Sequence, residues 1–96
     1  MSLPKFLQPY LASYELSSLD VKRDRDLIVT EVLNKGDDKA VRWLGRVYSR
    51  DDIKQVVKNP VRGMWLENNL KYWLVIFDLN LSAKKLQDAV INLNAY

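Results

Sequence analysis

The amino-acid sequence predicts an all-α domain of about five or six short helices. Three observations lead there. Apolar residues recur at spacings of three and four through most of the chain, which is the helical period. Ser, Asp and Gly stand where these stretches begin and end, as helix caps do. The stretch at 75–81, "VIFDLNL", alternates as a strand would, but a lone strand would lack a pairing partner.

The first segment, residues 3–19, carries Leu3, Phe6, Leu7, Tyr10, Leu11 and Tyr14 at helical spacing. Pro9 limits how much of it can be one regular helix, so one or two short helical turns are expected. Asp20 is placed to cap the next helix, with Leu27, Ile28, Val32 and Leu33 inward and Gly36 as a left-handed C-cap. Asp37 can cap a third element, in which Ala40, Val41, Leu44, Val47 and Tyr48 share a stripe. Ser49 followed by Asp52 resembles a capping box, starting a helix with Ile53, Val56 and Val57 inward and ending at Asn59 and Pro60.

Residues 64–79 read as an apolar helix with two stripes. Leu66, Leu70, Trp73, Leu74 and Phe77 form the inward one, whereas Trp65, Tyr72, Ile76 and Leu79 lie on a second side. Such a helix is either the central element of the fold or half of a contact with a partner. Finally, Ser82 caps a last helix with Ala83, Leu86, Val90 and Leu93 inward. The 96 residues, 48% hydrophobic and 28% charged, suit a single helical domain spanning 1–96.

Composition removes whole classes of chemistry. The chain has no Cys and no His, so disulfides, thiolate or imidazole metal ligands and His-activated nucleophiles are absent. Neither a GxGxxG nor a GxxxxGK[ST] phosphate loop occurs. The carboxylate pairs Asp24/Asp26, Asp37/Asp38 and Asp51/Asp52 fall near helix starts, where negative charge is favoured by the dipole and by free N–H groups. No catalytic residue, cofactor, metal or small-molecule substrate is expected. The N-terminal stretch lacks the basic region and apolar core of a secretory signal, and no apolar run is long enough to span a membrane. A cytoplasmic protein is therefore expected.

Two interaction surfaces are candidates. Arg42, Arg46, Arg50, Lys54 and Lys58 recur at every fourth position across two tightly joined helices. Such a pair could present a basic strip to a nucleic-acid backbone in a helix-turn-helix-like manner. The two aspartates opening the second helix, "RDDIKQVVKN", oppose base reading by that end. Arg62, Met64, Trp65 and Tyr72 form the second candidate, an aromatic contact for a protein partner or a second copy of the chain. In this scheme Trp73 is core and Trp65 is surface.

The stretches "LPKFLQPY" and "DRDLIVTEVLNKGDDKAVRWLGRVYSRDDIKQVVKN" resemble a small bacterial family of uncharacterised helical domains. The resemblance rests on Leu3, Pro4, Phe6, Leu7, Gly36, Asp37, Ala40, Val41, Trp43, Leu44, Tyr48, Ser49, Ile53 and Val56, and continues weakly to Trp73. It implies an antitoxin-like protein that binds and silences a nucleotidyltransferase-like toxin encoded beside it. The matching positions are caps and core residues, so they carry the fold and not a site. The loop "KNPVRGMWLENN" departs from the shorter, Ser-capped turn of the family. Together these readings point to a non-catalytic interaction module, with a DNA-binding regulator as the alternative.

Overall fold

A computed structural model describes residues 3–91, and at their centre lies α1 (Arg25–Lys35), packed against four other elements. These are η1, a 3-10 helix at Lys5–Leu11, α2 (Asp38–Val47), α3 (Arg50–Lys58) and α4 (Glu67–Ile76). A short 3-10 turn, η2 (Leu16–Ser18), follows η1, and α5 (Ala83–Ala89) closes the order. The fold is all-α, as the sequence predicts. The alternating stretch at 75–81 is not a strand: its first residues belong to α4. Leu93 lies outside the described residues.

The central position of α1 is the first departure from expectation, which allowed that place to the aromatic helix. Seven consecutive residues, 28–34, are buried, so this helix meets protein all round. Thr30, Glu31 and Asn34 are among them, and their polarity hides its centrality from any count of apolar positions. Glu31 keeps its charge partnered by Lys35 at 3.1 Å, one turn on. The α-helix also begins later than Asp20. That residue caps a preceding turn, its carboxylate accepting from the backbone N–H groups of Lys22 and Arg23, while Asp24 accepts from the N–H of Asp20 and from Arg23. The N–H of Arg23 chiefly holds the Asp20 carboxyl below its ordinary pKa. The Arg23 guanidinium does the same for Asp24.

The three later N-caps stand as read. Asp37 accepts from the N–H of Ala40 at 2.9 Å, Ser49 from Asp52 at 3.0 Å and Ser82 from Lys85 at 3.2 Å. Each satisfies a donor that the helix leaves unpaired, an effect of about 1 kcal/mol. Ala40, Trp43, Leu44, Ile53, Val56 and Val57 are buried as part of one core with α1. Ala83, expected inward, is exposed, and Ala89 is the buried residue of α5.

Gly36 is not left-handed. Its φ and ψ are −73° and 154°, extended values open to any residue. A glycine is needed here for space: a Cβ would stand 2.5 Å from the Val32 carbonyl oxygen and 3.1 Å from Ala40 Cβ. Gly36→Val is therefore expected to lower stability by about 1–3 kcal/mol through overpacking, read as a fall in the thermal midpoint. The left-handed residue that does end a helix is Asp78, with φ 53°. Its N–H bonds to Val75 O and that of Leu79 to Leu74 O, a Schellman closure that stops α4 short of the expected residue 79.

Tyr48 ties the α2–α3 junction to the segment before α1: its hydroxyl donates to Val21 O at 2.7 Å. Burial pushes the hydroxyl pKa up, from 10.0 to about 12. The folded state thus holds this proton more tightly than the unfolded chain does. Its contribution is complete below pH 10 and is lost as pH rises toward 12. A fall in denaturation midpoint over that window is expected for the wild type, and a shallower fall for Tyr48→Phe.

Candidate functional site

The residues before α4 organise the second half of the molecule. Residues 64–66 are extended, and both edges of this short segment are hydrogen-bonded. On one edge the Asn34 side chain imitates a neighbouring strand: its Nδ2 donates to Met64 O at 3.0 Å and its Oδ1 accepts from the Leu66 N–H at 2.9 Å. On the other edge the Trp65 N–H donates to Ala89 O at 2.9 Å and the Ile91 N–H to Trp65 O at 2.8 Å. A parallel bridge thus joins Trp65 to Val90. From α4, Asn69 and Trp73 donate to the Asn34 and Leu33 carbonyls at 2.5 and 3.1 Å, satisfying carbonyls that α1 leaves free at its C-terminal end.

This clamp reverses the expected roles of the two tryptophans. Trp65 is fully buried, whereas Trp73 is half-buried and packed against the core's edge. A helical wheel extended backward from α4 puts Trp65 outside, but the chain at 65 is extended, so the wheel does not apply. In the folded protein Trp65 is thus unavailable to a partner. Of the other candidate contact residues, Met64 is half-buried with its carbonyl bound to Asn34. Arg62 is exposed on the loop before it. Tyr72 remains on the surface, 58% exposed, with its ring edge-on to Trp73.

Tyr72 does not stand alone. Val75 is 78% exposed, Ile76 43% and Leu66 41%. Among the described residues the four large exposed apolar side chains lie on α4 or at its N-cap, Leu66 contrary to its expected inward place. Tyr72, Val75 and Ile76 are related by three and four positions and form one outward face. Leu70, Leu74 and Phe77 hold the inward face in the core. An isolated exposed apolar side chain needs no explanation, but a contiguous row on one helix does. Val75 is the member that the two-stripe reading passed over, although its position three residues after Tyr72 was the signal.

The cations of the basic strip are divided between α2, with Arg42 and Arg46, and α3, with Arg50, Lys54 and Lys58. Arg42 and Arg46 border a hollow of about 360 Å³ with Asp38 and Lys39. There Arg42 is paired with Asp38 at 2.7 Å, and Lys39 sits over the Phe6 ring. Arg50 is turned toward α4, its guanidinium 4.9 Å above the Phe77 ring. Lys54 is half-buried and Lys58 exposed along α3. The carboxylates are likewise dispersed into structural duties. Asp37 caps α2, Asp52 pairs with Arg25 at 3.5 Å, and Asp24 and Asp26 pair with neighbouring arginines. Among the described residues no cluster of three or more acidic side chains is placed to hold a metal ion, and no helix is long and apolar enough to cross a membrane.

No curated protein and no solved structure matches the chain. Residues 11–57, which run from the end of η1 through α3 and stop short of the exposed face of α4, match the model of a family of unknown function, DUF6922.

Proposed function

We propose that this protein is a non-catalytic interaction module whose contact surface is the outward face of α4. The observation that carries the reading is the row Tyr72, Val75 and Ile76, left uncovered on a helix whose other side is core. A convex helix with anchors at i, i+3 and i+4 is suited to lie in an apolar groove of another protein. The resemblance described above supplies the finer reading: an antitoxin-like protein, with a nucleotidyltransferase-like toxin as the partner that offers the groove. The fixed clamp around Trp65 supports this use, because it pre-orders the helix before any partner arrives and so lowers the entropic cost of binding.

The test is calorimetric titration with a nucleotidyltransferase-like enzyme taken from the native host, with its toxicity measured in parallel. Val75→Lys places a charge at the centre of the face without touching the core. Affinity is expected to fall about thirtyfold or more, the effect of losing a contact worth about 2 kcal/mol, and toxicity to return. Unchanged affinity in a folded Val75→Lys protein would refute the assignment of the face. Failure of the wild type to bind the enzyme, together with salt-sensitive binding to duplex DNA, would favour the regulator reading instead.

A further inference from the structure

A second surface stands apart from α4. The loop at 59–63 and α5 border a groove of about 310 Å³ lined by Asn59, Pro60, Arg62, Lys85, Asp88 and Ala89. Its two walls are held at fixed spacing. The Gly63 N–H donates to Asp88 O at 2.8 Å, and the Trp65 and Ala89 pairing lies immediately beyond. Gly63 itself is left-handed, φ 71°, which turns the chain sharply between Arg62 and the buried Trp65. Arg62 on one wall and Lys85 on the other are both exposed. Neither is in an ion pair among the described residues, in contrast to Arg23, Arg25, Lys35, Arg42 and Lys71. Lys58, directly before the Asn59 wall, and Lys84, directly before Lys85, are also exposed and outside those pairs.

From this geometry we infer that the groove between the 59–63 loop and α5 binds phosphodiester groups of a nucleic-acid backbone, with Arg62 and Lys85 as its two cationic walls. A guanidinium offers paired donors to phosphate oxygens, and an ammonium supplies a mobile point charge opposite it. Asn59 borders the rim with its amide engaged by the Gln55 carbonyl at 3.2 Å, so the two cations carry the binding. The polar atoms that the described residues offer the groove are suited to backbone oxygens, and recognition is of the backbone and independent of sequence. Lys58 extends the positive track along α3. Among the described residues Asp88 is the one opposing charge in the lining, and it limits affinity. This surface shares Lys58 with the α2–α3 strip, but Arg42, Arg46 and Arg50 play no part in it.

The test is fluorescence anisotropy of a short labelled oligothymidylate over a salt series, with helicity checked by circular dichroism. The wild type is expected to bind at low salt and to lose affinity steeply as salt rises. In the Arg62→Gln/Lys85→Gln double variant the slope of log K against log salt should flatten by about 1.4, two phosphate contacts at about 0.7 each. Asp88→Asn should tighten binding, and Arg42→Gln should leave it unchanged. An equal loss in Arg42→Gln would assign the affinity to diffuse charge and overturn the site. So would an unaltered slope in the double variant, a wild type that binds no oligothymidylate at low salt, or a polyglutamate peptide competing as well as unlabelled oligothymidylate.

Discussion

Trp65→Ala is expected to destabilise the protein by about 3–5 kcal/mol, the cost of removing a large aromatic from a closed core. A small domain has about 5–15 kcal/mol in all, so the variant should lose a large share of its stability. The expectation follows from the place of the ring: it is the largest fully buried side chain, and its own backbone is bonded on both edges, so the cavity cannot close by moving the segment inward. A control separates volume from hydrogen bonding. Among the described residues the indole N–H finds no acceptor, so Trp65→Phe gives up no bond to them and removes an unsatisfied donor. It should cost far less than the alanine variant. Urea denaturation followed by circular dichroism reads both, and a Trp65→Ala midpoint equal to that of the wild type would contradict the burial on which the fold rests. Trp73→Ala, with its ring half-exposed, should cost less than Trp65→Ala, the reverse of the order that the helical wheel implies.

The reason for that reversal shows what a single sequence can and cannot reveal here. Caps were legible because their chemistry is local: Asp37, Ser49 and Ser82 each reach a donor three residues on, and no other part of the chain decides whether they do. The stripes of α2 and α3 were legible because each helix has one buried face, so its period survives in the residues. Neither condition holds for α1. Burial on every side erases the period, and Thr30, Glu31 and Asn34 inside it look like surface residues. The place of Asn34 depends on its partners in α4 and in residues 64–66, tens of positions away.

The same limit governs the candidate surface. The apolar excess on α4 was visible, and so was its division into two sides, but which tryptophan belonged to which side was not. That depended on where the helix begins. Leu66 is extended and α4 starts at Glu67, because the Met64 and Leu66 backbone groups are engaged by Asn34 and those of Trp65 by residues 89–91. A helical period carried across that boundary assigns residue 65 to the wrong face, while Tyr72 and Ile76, inside the helix, are assigned correctly. Gly36 was recognised as a helix end, but the reason for glycine there, an approach to Val32 and Ala40, belongs to packing and leaves no mark in the local sequence.

Asn34 is the residue on which that boundary depends, and its replacement is the second large effect expected. Asn34→Ala removes the donor to Met64 O and the acceptor for the Leu66 N–H together, and leaves the Asn69 amide with the Asn34 backbone carbonyl alone. Each buried group left without a partner costs about 1–3 kcal/mol, so a loss of about 2–6 kcal/mol is expected for the two, with the cavity adding to it. Asn34→Asp is the sharper probe because it preserves shape. Its carboxylate still accepts from Leu66 but now opposes the Met64 carbonyl oxygen at what was a donor's distance, in a buried position where charge is poorly solvated. The introduced carboxyl is thereby easier to protonate in the folded state than in the unfolded chain, and protonation restores the missing donor. A group whose folded pKa is raised stabilises below its unfolded pKa and ceases to as pH climbs through the folded one. Asn34→Asp should therefore lie close to the wild type in acid and fall progressively behind it toward neutral pH. Asn34→Ala should show a pH-independent deficit. Parallel denaturation series at several pH values, each variant referenced to wild type, decide the matter: a constant gap for Asn34→Asp would mean that its side chain does not face Met64 O, and that the extended segment carrying Trp65 is held by the 89–91 edge alone.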